Sequence, residues 1–133
     1  MKKILVAYDG GQPAHRALDL AADLALKFDA TVGVVSVVPV HPGRAPVDPW
    51  DDRAVHTAEL AEARTILMAR GIEPVLHAPA GNTASTIEQI ATEDGYDTVV
   101  IGSRGLNPVS RFLQGSVSEH VATHSAATVV IAR

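Results

Sequence analysis

Two short stretches carry the residue types that could grip an anion: Gly102-Ser103-Arg104-Gly105 and, after a spacer of nine residues, Gly115-Ser116-Val117-Ser118-Glu119. Glycine lets the chain pass through φ > 0 and lets a ligand come up against the backbone. Ser116 and Glu119 have the spacing of a capping box, which predicts a helix starting at Ser116. The first-turn amides of Val117, Ser118 and Glu119 then point outward at the positive end of the helix dipole, and Arg104 with the hydroxyls can close over a phosphate held there. Arg104 and Arg111 are the cationic groups near enough in sequence to neutralise a phosphate chain. Spacing alone leaves a second use open, a glycine-rich turn followed by an ordinary cap. Asp9, in Asp9-Gly10-Gly11, also has two uses open to it. Its carboxylate can cap its own turn, or it can face a ligand in the crevice outside the carboxyl ends of parallel strands.

Other chemistries find less support. The chain contains no Gly-x-x-x-x-Gly-Lys-Ser/Thr, so the lysine cradle and metal-holding hydroxyl of a P-loop ATPase are missing. Ser116 and Ser118 have no identified activating histidine or lysine, which makes phosphate hydrogen bonds their better role and slow hydrolysis the most that is expected. With no cysteine there is no disulfide framework, thiol nucleophile or cysteine-ligated metal. His41, Asp48, Asp51 and His56 offer nitrogen and oxygen ligands on paper, but four prolines between residues 39 and 49 leave their geometry unfixed, and no metal site is assigned. His15, on the first turn of an alanine-rich helix, reads as a solvated or partly packed side chain.

The elements that must position these groups follow from apolar periodicity. Lys3 to Tyr8 is a continuous apolar run ended by the Asp9 turn and reads as a buried strand. Pro13 opens a helix whose inward stripe is Ala14, Ala17, Leu18, Ala21, Ala25 and Phe28. Thr31 to Val38 is a second strand. A restrained proline loop with Trp50 as its anchor leads into a helix over residues 53–70, with Val55, Ala58, Ala61, Thr65 and Met68 as one stripe, widened by Leu60, Ala63 and Leu67. Ile72 to His77 is a third strand. Asn82 or Thr83 caps a helix through Glu93 that turns Ile87, Ile90 and Ala91 inward. Thr98 to Ile101 is a fourth strand, the helix from Ser116 to about His124 sets Val117, Val121 and His124 on one side, and Thr128 to Ala132 is a fifth strand. Strands alternating with helices predict one domain over residues 1–133, an α/β three-layer sandwich with an open parallel sheet and a single ligand crevice.

Composition agrees. With 133 residues, 47% of them hydrophobic and 4% aromatic, the chain has enough Val, Ile, Leu and Ala for one core. The formal net charge is −4 and the basic residues are scattered, so neither nucleic acid nor an anionic membrane is an expected partner. No segment approaches the roughly 20 apolar residues of a membrane span, and cytoplasm is the expected compartment.

Taken together, Gly102-x-x-Gly105, nine residues, Gly115-Ser116 resembles the nucleotide-binding signature of the universal stress protein family. Lys3 to Gly10 resembles that family's opening strand and acidic turn, and Asp97 to Gly102 its fourth strand, so the similarity covers nearly the whole chain. The resemblance implies strand order 3-2-1-4-5 in an adenine nucleotide alpha hydrolase-like fold. It implies ATP as ligand, with magnesium held mainly by the phosphates. It places Asp9 near base and sugar, Ala7 and Val37 along the adenine, and Ile101, Gly102, Arg104, Gly105, Gly115, Ser116, Val117 and Ser118 around the nucleotide. It implies a homodimer through the C-terminal strand and a regulatory or stress-survival role acting through a protein partner. The alternative is a dimeric stress or interaction protein that binds no nucleotide. Gly11 and Ala14 stand where the family often has serines, and Gly81-Asn82-Thr83 lacks the proline of the family's Gly-x-Pro turn.

Overall fold

Five parallel strands form the central sheet, and the computed structural model describes residues 1–39, 53–103 and 116–133 of the chain. In chain order the elements are β1 (Lys3–Ala7), α1 (Gln12–Phe28), β2 (Thr31–Val35), β3 (Val38–Pro39), α2 (Arg53–Met68), β4 (Val75–His77), β5 (Ala80–Gly81), α3 (Thr83–Glu93), β6 (Thr98–Gly102), α4 (Ser116–His124) and β7 (Thr128–Ala132). The sheet runs β4-β2-β1-β6-β7, the order 3-2-1-4-5 for its five strands taken along the chain. A two-stranded parallel pair, β3 with β5, extends the structure beyond the carboxyl ends of β2 and β4. The expected single strand from Thr31 to Val38 is therefore two short ones, and the third strand is confined to Val75–His77.

Side-chain alternation along the central strands divides the interior in two. Ile4, Val6 and Tyr8 join Val32, Val34 and Val100 under α1 and α2, while Leu5, Ala7, Val35, Val37, Val99 and Ile101 pack beneath α3 and α4. Both faces of β1 are enclosed, which is why its sequence is apolar without interruption. The result is a three-layer α/β/α sandwich. Among the described residues no helix is long and apolar enough to cross a membrane.

The helices seat themselves as their small residues permit. α1 lays Ala14, Ala17, Ala21, Ala22 and Ala25 on the sheet and ends at Asp29, whose φ of 55° turns the chain left-handed so that Ala30 N–H can donate to Ala25 O. Phe28, expected to face inward, is about half exposed at the last position of the helix. Asn82 caps α3 by accepting from the Ser85 amide at 3.2 Å.

α2 differs most from expectation. Of the face expected inward, Leu60, Ala63 and Leu67 are buried as read and are joined by His56, whereas Ala58, Ala61, Thr65 and Met68 are exposed. Both sets have helical spacing. The set that wins carries two leucines and begins with a histidine whose polar atoms find partners at the sheet, so its position in the core was hidden by its type. In α4, Val121 is fully buried but His124 is exposed, so the two do not share a side as expected.

Candidate functional site

The sheet order reverses at β1: the chain leaves it for β2 on one side and returns to β6 on the other. Between β1 and β6 the crossovers diverge to opposite faces, which opens a crevice at their carboxyl ends. The parallel register pairs Val6 with Val100. Continued two residues further it sets Tyr8 level with Gly102, and one more sets Asp9 level with Ser103.

Asp9 is 9% exposed at this end, and its Oδ1 accepts from the Gly11 amide at 2.9 Å. Gly10, at φ +80°, makes that tight Asx turn affordable for the backbone. The self-capping use of Asp9 is therefore present in the structure, on a carboxylate that also borders the crevice. Gly102 differs from the sequence expectation. It does not take a positive φ; it is an ordinary strand residue, and a Cβ there would sit 2.6 Å from the Pro13 carbonyl oxygen. Its missing side chain lets the first turn of α1 close on β6. Ser103 then donates its amide to Ala132 O at 2.7 Å, carrying the β6–β7 ladder one residue past the strand.

Ala7 and Ile101 are wholly buried and Val37 nearly so, and their side chains belong to the core beneath α3 and α4. They lie at the strand ends that border the crevice. Ser116, Val117 and Ser118 form the opening of α4, which begins at Ser116. Arg104, Gly105 and Gly115, the spacer between them, and the loop of residues 40–52 with Trp50, His41, Asp48 and Asp51 lie outside the described residues.

Two polar clusters beside the crevice had not been read from the sequence. Ser36, just after β2, donates its hydroxyl to Glu59 Oε2 at 2.9 Å and stands 2.7 Å from Nδ1 of His56. With the hydroxyl proton committed to Glu59, Nδ1 of His56 is the donor to Ser36. That is the reverse of the polarity that activates a serine nucleophile, in which the histidine accepts. Ser36 and His56 are each 1% exposed, and the cluster ties α2 to the end of β2. On the α1 side, the Tyr8 hydroxyl donates to Glu62 Oε1, with Nε2 of His15 3.1 Å from both oxygens. Burial pushes the Tyr8 phenol well above its usual range, and the hydrogen bond to Glu62 adds to the shift, so Tyr8 remains a donor at any neutral pH. His15 is thus partly packed, as expected. The sequence signal for both clusters was a histidine and a glutamate on helix faces that turned out to meet a hydroxyl, a pattern too sparse to read without the packing.

The family model for the universal stress protein family matches residues 1–133. A universal stress protein of Staphylococcus aureus is 30% identical over 140 residues, spanning 99% of this chain and 84% of that relative. The structure of a universal stress protein from Archaeoglobus fulgidus superposes with a TM-score of 0.81 at 26% identity, over 100% of this chain and 99% of that one. A structure of the Archaeoglobus fulgidus protein in complex with dAMP gives a TM-score of 0.76 at 26% identity, over 100% and 98% of the two chains.

Proposed function

The chain belongs to the universal stress protein family, and from that membership we propose that it binds an adenine nucleotide, ATP in the first place, in the crevice between β1 and β6. The observation that carries the proposal is the meeting, at the point where the strand order reverses, of a nearly buried carboxylate at Asp9 with the Gly102-Ser103 end of β6. The dAMP complex of a relative 26% identical over the whole chain supports the same ligand class. In this reading Asp9 meets the sugar and base. Ala7, Val37 and Ile101 support the adenine through the strand ends they occupy, and Gly102, Arg104, Gly105, Gly115, Ser116, Val117 and Ser118 surround the phosphates at the start of α4. Magnesium would be held mainly by phosphate oxygens and water. This is the arrangement of an adenine nucleotide alpha hydrolase-like fold, with hydrolysis slow at most.

The protein would act in the cytoplasm as a regulatory or stress-survival factor, its nucleotide state changing how its surface meets a protein partner. β7 is an edge strand with partly buried Val129, Val130 and Ile131, which suits pairing with a second copy across a two-fold axis.

Calorimetry and thermal melts of ligand-free protein test the nucleotide. The expected result is micromolar-class affinity for ATP with magnesium, roughly −8 kcal/mol, and a smaller melting shift with AMP than with ATP. Gly115→Ala with Ser116→Ala should stay folded yet lose most of the ATP-induced shift. A competing reading, a dimeric interaction protein without nucleotide, draws on two observations: Gly102 is explained by Pro13, and Asp9 already caps its own turn. Equal ATP-induced shifts in wild type and double variant, or no binding at millimolar ATP, would favour it.

A further inference from the structure

We propose that Glu88, His120 and His124 form a binding site for a transition-metal ion of the Zn2+ class, separate from the nucleotide crevice. The three residues each offer a ligand atom, and these atoms lie within 4.8 Å of one another. His120 and His124 are one turn apart on α4, so they project from the same side of the helix. Glu88 comes from α3, the helix packed beside it, and its Oε1 is 2.8 Å from Nδ1 of His120.

His124 already has the tautomer a ligand needs. Nδ1 of His124 is 3.0 Å from the carbonyl oxygen of His120. A carbonyl can only accept, so Nδ1 carries the proton and Nε2 keeps its lone pair for a metal, the tautomer that a backbone partner fixes in metal-bound histidines. The two rings lie nearly parallel, 20° apart with centroids separated by 4.1 Å, so the nitrogens are neighbours, and their in-plane lone pairs converge on one ion once one ring tilts. Beside them is an open cleft of about 390 Å³, lined in part by Glu88, Glu93 and His124, whose carboxylates draw a cation inward.

The fit needs side-chain rotations but no backbone shift. In a tetrahedral site with bonds of 2.0–2.1 Å, neighbouring ligand atoms stand roughly 3.3 Å apart. The His120–Glu88 pair would open by about half an ångström as an ion replaces the shared proton, and His124 would swing inward. The side chain of His120 is 46% exposed and that of Glu88 20%, so side-chain rotation can supply this without disturbing the core. Two imidazoles and one carboxylate suit zinc, cobalt or nickel rather than magnesium or calcium, which take oxygen ligands. Three protein ligands leave the fourth position to water. Because α4 is about 12 Å long from Ser116 to His124, the ion would sit toward the end of that helix remote from its phosphate-facing start. It would clamp α3 to α4 there.

The test is calorimetric titration of untagged, nucleotide-free protein with ZnCl2 in a non-chelating buffer, with CoCl2 followed by visible d–d absorption. Wild type should bind one ion with micromolar-class affinity, melt at higher temperature with zinc, and show the intense cobalt bands of a four-coordinate site. MgCl2 and CaCl2 should do none of this. Glu88→Gln, His120→Gln and His124→Gln should each weaken zinc binding by more than about tenfold while leaving the melt of the metal-free protein and its response to ATP unchanged. No zinc binding up to millimolar concentration would overturn the proposal. So would undiminished binding by the His120→Gln/His124→Gln variant, which would move the site to His15, His41, His56 or His77.

Discussion

Single residues show where sequence reading and structure part company. Gly102 reads in the sequence as a glycine for a left-handed turn or a ligand's approach, whereas in the structure its missing side chain makes room for Pro13, contributed by a helix about 90 residues earlier in the chain. No local pattern contains that contact. Asp9 is legible because an acid before two glycines has few uses; its self-capping turn is present, and its carboxylate stands at the strand end that borders the crevice. His77 was not singled out, although its environment has a measurable consequence. Its side chain is 17% exposed, with Nε2 2.8 Å from the Tyr96 hydroxyl and Nδ1 3.8 Å from Asp94 Oδ2. Burial lowers its pKa from 6.5, against the opposing pull of Asp94 and with the help of Lys3. The unfolded chain therefore binds a proton at a pH where the native protein does not. The contribution is complete above about pH 6.5 and is lost as pH falls through the folded pKa. Urea melts between pH 7.5 and 5.5 should show stability declining toward acid, and His77→Gln should flatten that slope. An identical slope in the variant would contradict this account. Asp97 acts in a separate window. Its carboxylate accepts from Thr98 and from the amides of Lys2 and Lys3, which lowers its pKa below 3.8, so its contribution persists until more strongly acidic conditions.

At the level of elements, strands were easier to read than helix faces. Lys3–Ala7 and Thr98–Gly102 are continuous apolar runs, and a strand buried on both sides needs no choice of face. α2 did require a choice. Its alanines at 58 and 61 carry little hydrophobic weight, and the true face includes His56, whose burial depends on Ser36 from a different element. The corrected face makes a contrast that can be measured. Leu67 is wholly buried, and Leu67→Ala should cost about 2–5 kcal/mol through lost contacts and the cavity left behind. Met68, the next residue, is 42% exposed, and Met68→Ala should stay within about 0.5 kcal/mol. Denaturant unfolding of the two variants checks this; comparable losses at both positions would return Met68 to the buried face. The Glu88, His120 and His124 grouping was illegible for a related reason. His-x-x-x-His is visible in the sequence, but its third member is fixed only by how α3 packs on α4.

For the molecule as a whole, the strand order separates the two interiors in time as well as in space. Among the described residues, the buried core beneath α1 and α2 lies within the first 72 positions except for Val100 and Ala132. Among the described residues the opposite core draws only Leu5, Ala7, Val35 and Val37 from that part of the chain and needs α3, β6 and α4 to cover them. A ribosome delivers the first group while the second is still unmade. At about 5–20 residues per second, the roughly 40 residues from the start of α3 to the end of α4 take about 2–8 s to appear. During that interval one side of the nascent sheet has its helices and the other is bare. Limited proteolysis of ribosome-arrested chains should find β1, α1, β2 and α2 already protected before α4 has emerged, with Leu5, Ala7, Val35 and Val37 available to a chaperone. Protection that arises only once β7 is complete would mean that the halves fold together. Those seconds of synthesis are when the sheet is most vulnerable to aggregation.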